Sequence, residues 1–144
     1  MQRPSNRGVA QILVGGLSLS TERRTQLLDV TAGVAKLVKD AGVRSGVCHL
    51  YVPHTTAGIT INENDDPDVG LDIGAALDRL VPRGTGYRHA EGNADSHIKA
   101  ALVGNSATVF ITSGELELGR WQGIFFCEFD GPRQRRLRVK IVPD

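Results

Sequence analysis

The C-terminal third constrains the fold most. Residues 107–112, 121–129 and 136–142 are three strand-length runs rich in Val, Ile and Phe, divided by Ser113-Gly114 and Asp130-Gly131-Pro132, with no helical periodicity between them. Connections this short cannot carry helical crossovers, so the runs call for antiparallel pairing, most simply as a meander. Upstream, the run 9–19 is broken at Gly15-Gly16 and reads as one bent strand; 47–52 reads as a strand stopped by Pro53, and 57–61 as another. Three helices interrupt these strands. Thr31 opens a stripe of Val34, Leu37, Val38 and Ala41 that ends at the C-cap glycine Gly42. Asp66 and Pro67 open a second, with Val69, Ile73, Ala76, Leu77 and Leu80 on one face. Asp95 or Ser96 opens a third through Ile98, Ala101 and Leu102, ended by Gly104-Asn105, and 82–92 is a loop. Strands and helices do not alternate as βαβ units. The expectation is therefore an α+β fold: one β-rich domain over residues 1–144, with mainly antiparallel sheets and about three helices.

Composition narrows the partners. With 144 residues and 40% hydrophobic content the chain can bury a core without disulfides. Seventeen Lys+Arg against sixteen Asp+Glu leave a net charge of +1, so no global field steers the protein to nucleic acid or membrane. No apolar run approaches the roughly 18 residues of a membrane span, and the polar N-terminus carries no export signal. Cys48 and Cys127 sit in apolar runs without metal-type spacing and read as buried free thiols, which fits a reducing, cytoplasmic location. The basic cluster is Arg133, Arg135, Arg136 and Arg138. Arg136, Arg138 and Lys140 alternate with Leu137, Val139 and Ile141 as on the solvated face of an edge strand, with anion binding as the alternative. No aromatic residue interleaves with these cations in the chain, so nucleic acid is not an expected partner.

Chemistry concentrates on histidine. His54 with Thr55 and Thr56 stands between two strands, where a plain surface turn is the alternative. His89 lies on the glycine-rich loop and His97 in the first turn of a helix, whose positive end disfavours imidazolium. Three neutral imidazoles are one way to hold a catalytic divalent metal, with Asp95, Glu91 or Glu63 supplying an oxygen, although no compact metal motif is present. His49, inside a strand, reads as structural. Asn62, Asn64, Asp66 and Asp68 alternate like calcium ligands, but the glycine and glutamate of an EF-hand are missing, and a capped helix start explains Asp65, Asp66 and Pro67. Glu63 and Asn64 exceed what the cap needs. Trp121 is either core or a site wall.

Three ordered blocks resemble the YjbQ family, described as secondary thiamine-phosphate synthases: His54-Thr55-Thr56-Ala57 with Thr60-Ile61-Asn62-Glu63-Asn64 and Asp66-Pro67; Tyr87 and His89 before Glu91-Gly92-Asn93, with His97-Ile98-Lys99; and 116–123, ending in Trp121-Gln122-Gly123. The likeness spans nearly the whole chain. It implies a YjbQ-like fold, a homotrimer, and a polar pocket in which His54, Glu63, Asn64, His89 and His97 act catalytically and Thr55, Asp95 and Trp121 assist binding. His54, His89 and His97 would hold a divalent metal such as Zn, Mg or Mn. The implied reaction joins hydroxymethylpyrimidine diphosphate to thiazole phosphate, the metal neutralising the diphosphate that leaves. A metal-dependent hydrolase of a small phosphate or ester, and a non-catalytic trimeric module binding a metabolite or metal, are the alternatives. Arg120 departs from the family's usual small residue before the Trp.

Overall fold

In the computed structural model the described residues are 9–13, as backbone, and 15–144. The stretch 1–8, on which the absence of an export signal was read, lies outside them. Nine strands and three helices follow in the order β1 (Val9–Leu13), β2 (Gly16–Ser20), β3 (Gln26–Asp29), α1 (Thr31–Ala41), β4 (Gly46–Tyr51), β5 (Ala57–Glu63), α2 (Pro67–Leu80), α3 (Ala94–Val103), β6 (Ser106–Thr112), β7 (Glu115–Leu116), β8 (Gln122–Glu128) and β9 (Gln134–Pro143). They form a six-stranded sheet, β1-β2-β9-β4-β6-β7, and a three-stranded sheet, β3-β8-β5. All recorded pairings are antiparallel, so the fold is α+β as expected.

Two apolar layers hold it together. Leu17, Leu50, Val109, Leu137 and Val139 of the larger sheet meet Ile59, Ile124 and Phe126 of the smaller one, and Val34 and Val38 of α1 join this core. On its other side the smaller sheet packs Leu27, Phe125, Cys127 and Phe129 against Ile73 and Leu77 of α2 and Ala100 and Val103 of α3. Strand β8 is therefore buried on both faces, which is why 124–127 reads as an unbroken apolar run. Both thiols are free and buried.

Several local expectations are corrected. The bent strand of 9–19 is a hairpin of β1 and β2, because the break at Gly15 reverses the chain. The C-terminal runs do not form a meander: β6 and β9 flank β4, while β8 joins the other sheet between β3 and β5. β9 is interior, between β2 and β4, and not an edge strand. Helix α1 does not use Thr31 as its cap; the hydroxyl donates to Asp29 at 2.6 Å and accepts from the Ile124 N–H at 2.8 Å. Gly42, by contrast, ends α1 in the left-handed conformation expected of it. Asp66 caps α2 as read, accepting from the Asp68 N–H, but Leu80 at the helix end is 74% exposed. α3 starts at Ala94, after Asn93, so Asp95 and Ser96 lie inside the helix and both are buried. β3 escapes a pattern search because four residues buried on both faces show no alternation.

Candidate functional site

Strand β5 positions everything that follows, because the expected residues fall at its two ends. Seven residues at about 3.4 Å per step make the strand span roughly 20 Å. His54 and Thr55 precede its first residue, whereas Glu63 closes it and Asn64 follows.

At the first end, Gly58 decides the geometry. A Cβ there would lie 2.7 Å from the Gly104 carbonyl oxygen, so only glycine lets the end of α3 abut β5. The Ile59 N–H donates to that same carbonyl at 3.0 Å, and the Val52 N–H to that of Asn105 at 2.8 Å. The abutment leaves a cavity of about 420 Å³ lined by His54, Thr55, His97, Ala101, Gly104 and Asn105 among others. His54 packs edge-on against Phe126, and its Nε2 accepts the Arg136 main-chain N–H at 2.9 Å. That bond uses the ring's only acceptor, so Nδ1 carries the proton and the tautomer is fixed. Burial, reinforced by the nearby Arg135 charge, pushes the His54 pKa below its ordinary value despite the Arg136 hydrogen bond. His54 is thus a neutral N–H donor. His97 joins it on the cavity wall, and His89 packs edge-on against His97 with ring centres 5.1 Å apart, its Nε2 3.7 Å from Glu91.

Within one chain the three expected metal ligands do not meet as one set. Among the described residues no group of three or more His, Cys, Asp or Glu side chains is placed to hold a metal ion. His54 has already committed its lone pair to Arg136. The structure brings His54, Thr55 and His97 to one cavity, with His89 behind His97, but not as one ligand set.

At the far end Glu63 accepts the Asp66 N–H at 3.3 Å and so serves the turn into α2. The Asn64 amide donates to Asp29 at 3.2 Å, and the Asn64 N–H to the Trp121 carbonyl at 3.1 Å. The Asn64 side chain occupies the space a Cβ on Gly123 would need, which ties Asn64 to the glycine of Trp121-Gln122-Gly123. Trp121 is 52% exposed and stacks under the Arg120 guanidinium at 5.1 Å, so Arg120 covers this surface ring and not the histidine cavity. One chain therefore carries two half-clusters.

Asp95, expected to assist binding, is engaged elsewhere. Its carboxylate takes a bidentate pair from Arg24 at 3.0 and 3.1 Å and accepts Lys99 Nζ at 3.1 Å. Lys99, 1% exposed, also reaches Asp78 at 2.6 Å. Burial alone would raise the Asp95 pKa, but hydrogen bonds from Arg24 and Lys99 outweigh it and hold the carboxyl at about 2. With both oxygens engaged, Asp95 is structural. The sequence reading missed Lys99, whose i,i+4 spacing from Asp95 was the available signal. It also missed Arg135, which donates to Glu128 at 2.8 Å and to the Thr56 hydroxyl at 2.7 Å, bridging the two sheets. Arg135 shares the strand parity of Leu137 and Val139, and that parity points it inward.

The fold and its cavity thus define a small two-sheet α+β protein with a histidine pocket beside a helix end. The family model described as UPF0047 protein YjbQ-like matches residues 16–144, and the chain belongs to that family. A UPF0047 protein of Methanocaldococcus jannaschii is 50% identical, over 88% of this chain and 91% of its own. YugU of Bacillus subtilis is 46% identical, over 88% and 96%. Among solved structures, a YjbQ/UPF0047 protein of Clostridium acetobutylicum superposes with a TM-score of 0.86 at 51% identity, over 88% of this chain and 98% of its own. A Sulfolobus solfataricus protein reaches 0.86 at 31% identity, over 90% and 95%. These likenesses correct the expected thiamine-phosphate synthase activity. The family model and these relatives name no reaction, and the Sulfolobus protein is described as being of unknown function, so the resemblance carries a fold and not that coupling. No helix among the described residues is long and apolar enough to cross a membrane.

Proposed function

We propose that the cavity between His54, Thr55 and α3 binds a small phosphorylated metabolite. The observation that carries this reading is the Arg136 N–H bond to His54 Nε2, which turns His54 into a preorganised N–H donor that stays neutral near pH 7. Thr55 and Asn105 add a hydroxyl and an amide, and His97 a second imidazole. A volume of about 420 Å³ suits a compact ligand. The test is a titration with glycerol phosphate, followed through the imidazole ¹⁵N resonances. The His54 Nδ1–H signal should shift, and His54→Ala and His97→Ala should each weaken binding; resonances unmoved by the phosphate would discard the reading.

The separation of the two half-clusters favours a second reading. Glu63, Asn64 and Trp121 reach a histidine cavity only if another copy supplies them, and head-to-tail contacts of that kind close into rings. We propose the homotrimer that the family resemblance implies, with a divalent metal held by His89 and His97 and completed by a neighbour's carboxylate. Light scattering beside elemental analysis tests both parts: a mass of three chains, with metal lost in His89→Ala/His97→Ala, is expected, and a metal-free monomer would end this reading. Two buried free thiols support a reducing, cytoplasmic location as part of the proposal.

A further inference from the structure

The outer face of the six-stranded sheet brings together residues that are far apart in the chain. Arg136, Arg138 and Lys140 of β9 are exposed at alternate positions, about 7 Å apart along the strand. In register beside them on β4 lie Tyr51, opposite Arg138, and His49, opposite Lys140. One strand further, Phe110 of β6 stands opposite Val47, and Val47 opposite Val142. Tyr51 is 50% and Phe110 60% exposed, and both share this face with the cations. The aromatic interleaving that the sequence lacks is thus supplied by neighbouring strands. Because β9 is interior, protection of a sheet edge does not account for its cations.

We propose that this face binds single-stranded nucleic acid. Three cations in line follow a phosphate backbone, while exposed rings on the sheet face give bases a surface on which to stack. β2, β4, β6 and β9 contain no Asp or Glu; the exposed carboxylates of this sheet, Glu115 and the adjoining Glu117, lie at its β7 edge beside Phe110, three strands from the cations of β9. A second copy docked about a two-fold axis through β9 would set these cations against their own counterparts.

The test is fluorescence anisotropy of labelled oligouridylate and oligothymidylate of about twelve nucleotides, with the 144-residue chain. Three phosphate contacts predict a salt slope of about −2, or a roughly 20-fold loss between about 50 and 200 mM salt. Arg136→Ser/Arg138→Ser/Lys140→Ser should weaken binding at least about tenfold, and Tyr51→Ala/Phe110→Ala by a similar factor through lost stacking. Arg136→Lys/Arg138→Lys, which keeps the charge, should stay near wild type and shows that the losses are not misfolding. Tighter binding of one oligonucleotide assigns RNA or DNA. Absence of binding at low salt, or affinity indifferent to both sets of variants, overturns the proposal. So does an oligomer that Tyr51→Ala/Phe110→Ala dissociates while neither form binds oligonucleotide, which would assign the face to another copy.

Discussion

Helix α3 carries two polar clusters on one short element, and they are built on opposite principles. Asp95 and Lys99, both 1% exposed, form a closed set with Arg24 and Asp78, in which both Asp95 oxygens and the lysine amine are engaged. His97 stands between them in sequence but lines an open cavity with His54, where Nδ1–H is donated to no protein group among the recorded bonds. A charge whose partners are complete has no capacity left for a ligand, however suggestive its residue type. The His54–His97 side retains that capacity. The closed cluster is therefore expected to govern stability, and the open one binding.

The largest effect should come from breaking the closed cluster. Lys99→Ala leaves Asp95 with Arg24 alone and opens a hole where the amine and its stem were packed. A loss of about 3 kcal/mol or more is expected in denaturant unfolding. A loss below about 1 kcal/mol would show that Arg24 alone satisfies Asp95 and would blur the contrast.

Acid should find the same cluster. The Asp95 carboxyl falls from an ordinary 3.8 to about 2 in the folded chain, so its contribution is fully present above about pH 4 and is lost as pH falls through about 2. At 1.36 kcal/mol per unit the loss is about 2 kcal/mol. Asp95→Asn should remove that step from the pH profile, and an unchanged acid limb would mean that other carboxylates set it.

Such contrasts also explain what could be read in advance. The existence of α1, α2 and α3 and their turn chemistry at Asp66-Pro67 and Gly42 is local, and so was visible. Which strands pair is not local: 122–128 and 134–143 follow each other in the chain yet enter different sheets, because β8 is apolar enough to be covered twice and β9 is not. The histidines could be singled out by type and by their position at element ends. The split between His54 and Asn64 was legible too, since the strand read at 57–61 sets them at opposite ends; which distant segments join those ends, Gly104-Asn105 at one and Trp121-Gln122-Gly123 at the other, was not. Asp95 failed for a third reason: its partner Arg24 lies 71 residues away, and burial by a distant arginine leaves no trace nearby.

Gly58 seats the end of the helix that carries both clusters and makes a sharper probe than either. Gly58→Ala drives a methyl against the Gly104 carbonyl and Val103, at a cost of about 1–2 kcal/mol, the lower part of the overpacking range. Displacing the end of α3 should also move Gly104 and Asn105, so phosphate binding should weaken beyond what lost stability explains. Intact binding at full saturation would mean that the cavity does not depend on this abutment.

The smallest effect on stability belongs to His54. Its folded pKa lies below 6.5, so its contribution is present above about pH 6.5 and is lost as pH falls through the folded value, because the unfolded chain takes up the proton first. His54→Gln should flatten that limb of the stability profile while changing stability at pH 8 by less than about 1 kcal/mol, since the glutamine carbonyl can still accept from the Arg136 N–H. Glycerol phosphate binding at pH 8 should nevertheless fall, because the glutamine amide does not reproduce the placement of the ring N–H. A variant that binds like wild type would show that the neutral imidazole supports the turn between β4 and β5 and contributes nothing to the cavity, and would move the open cluster to the closed side of the contrast.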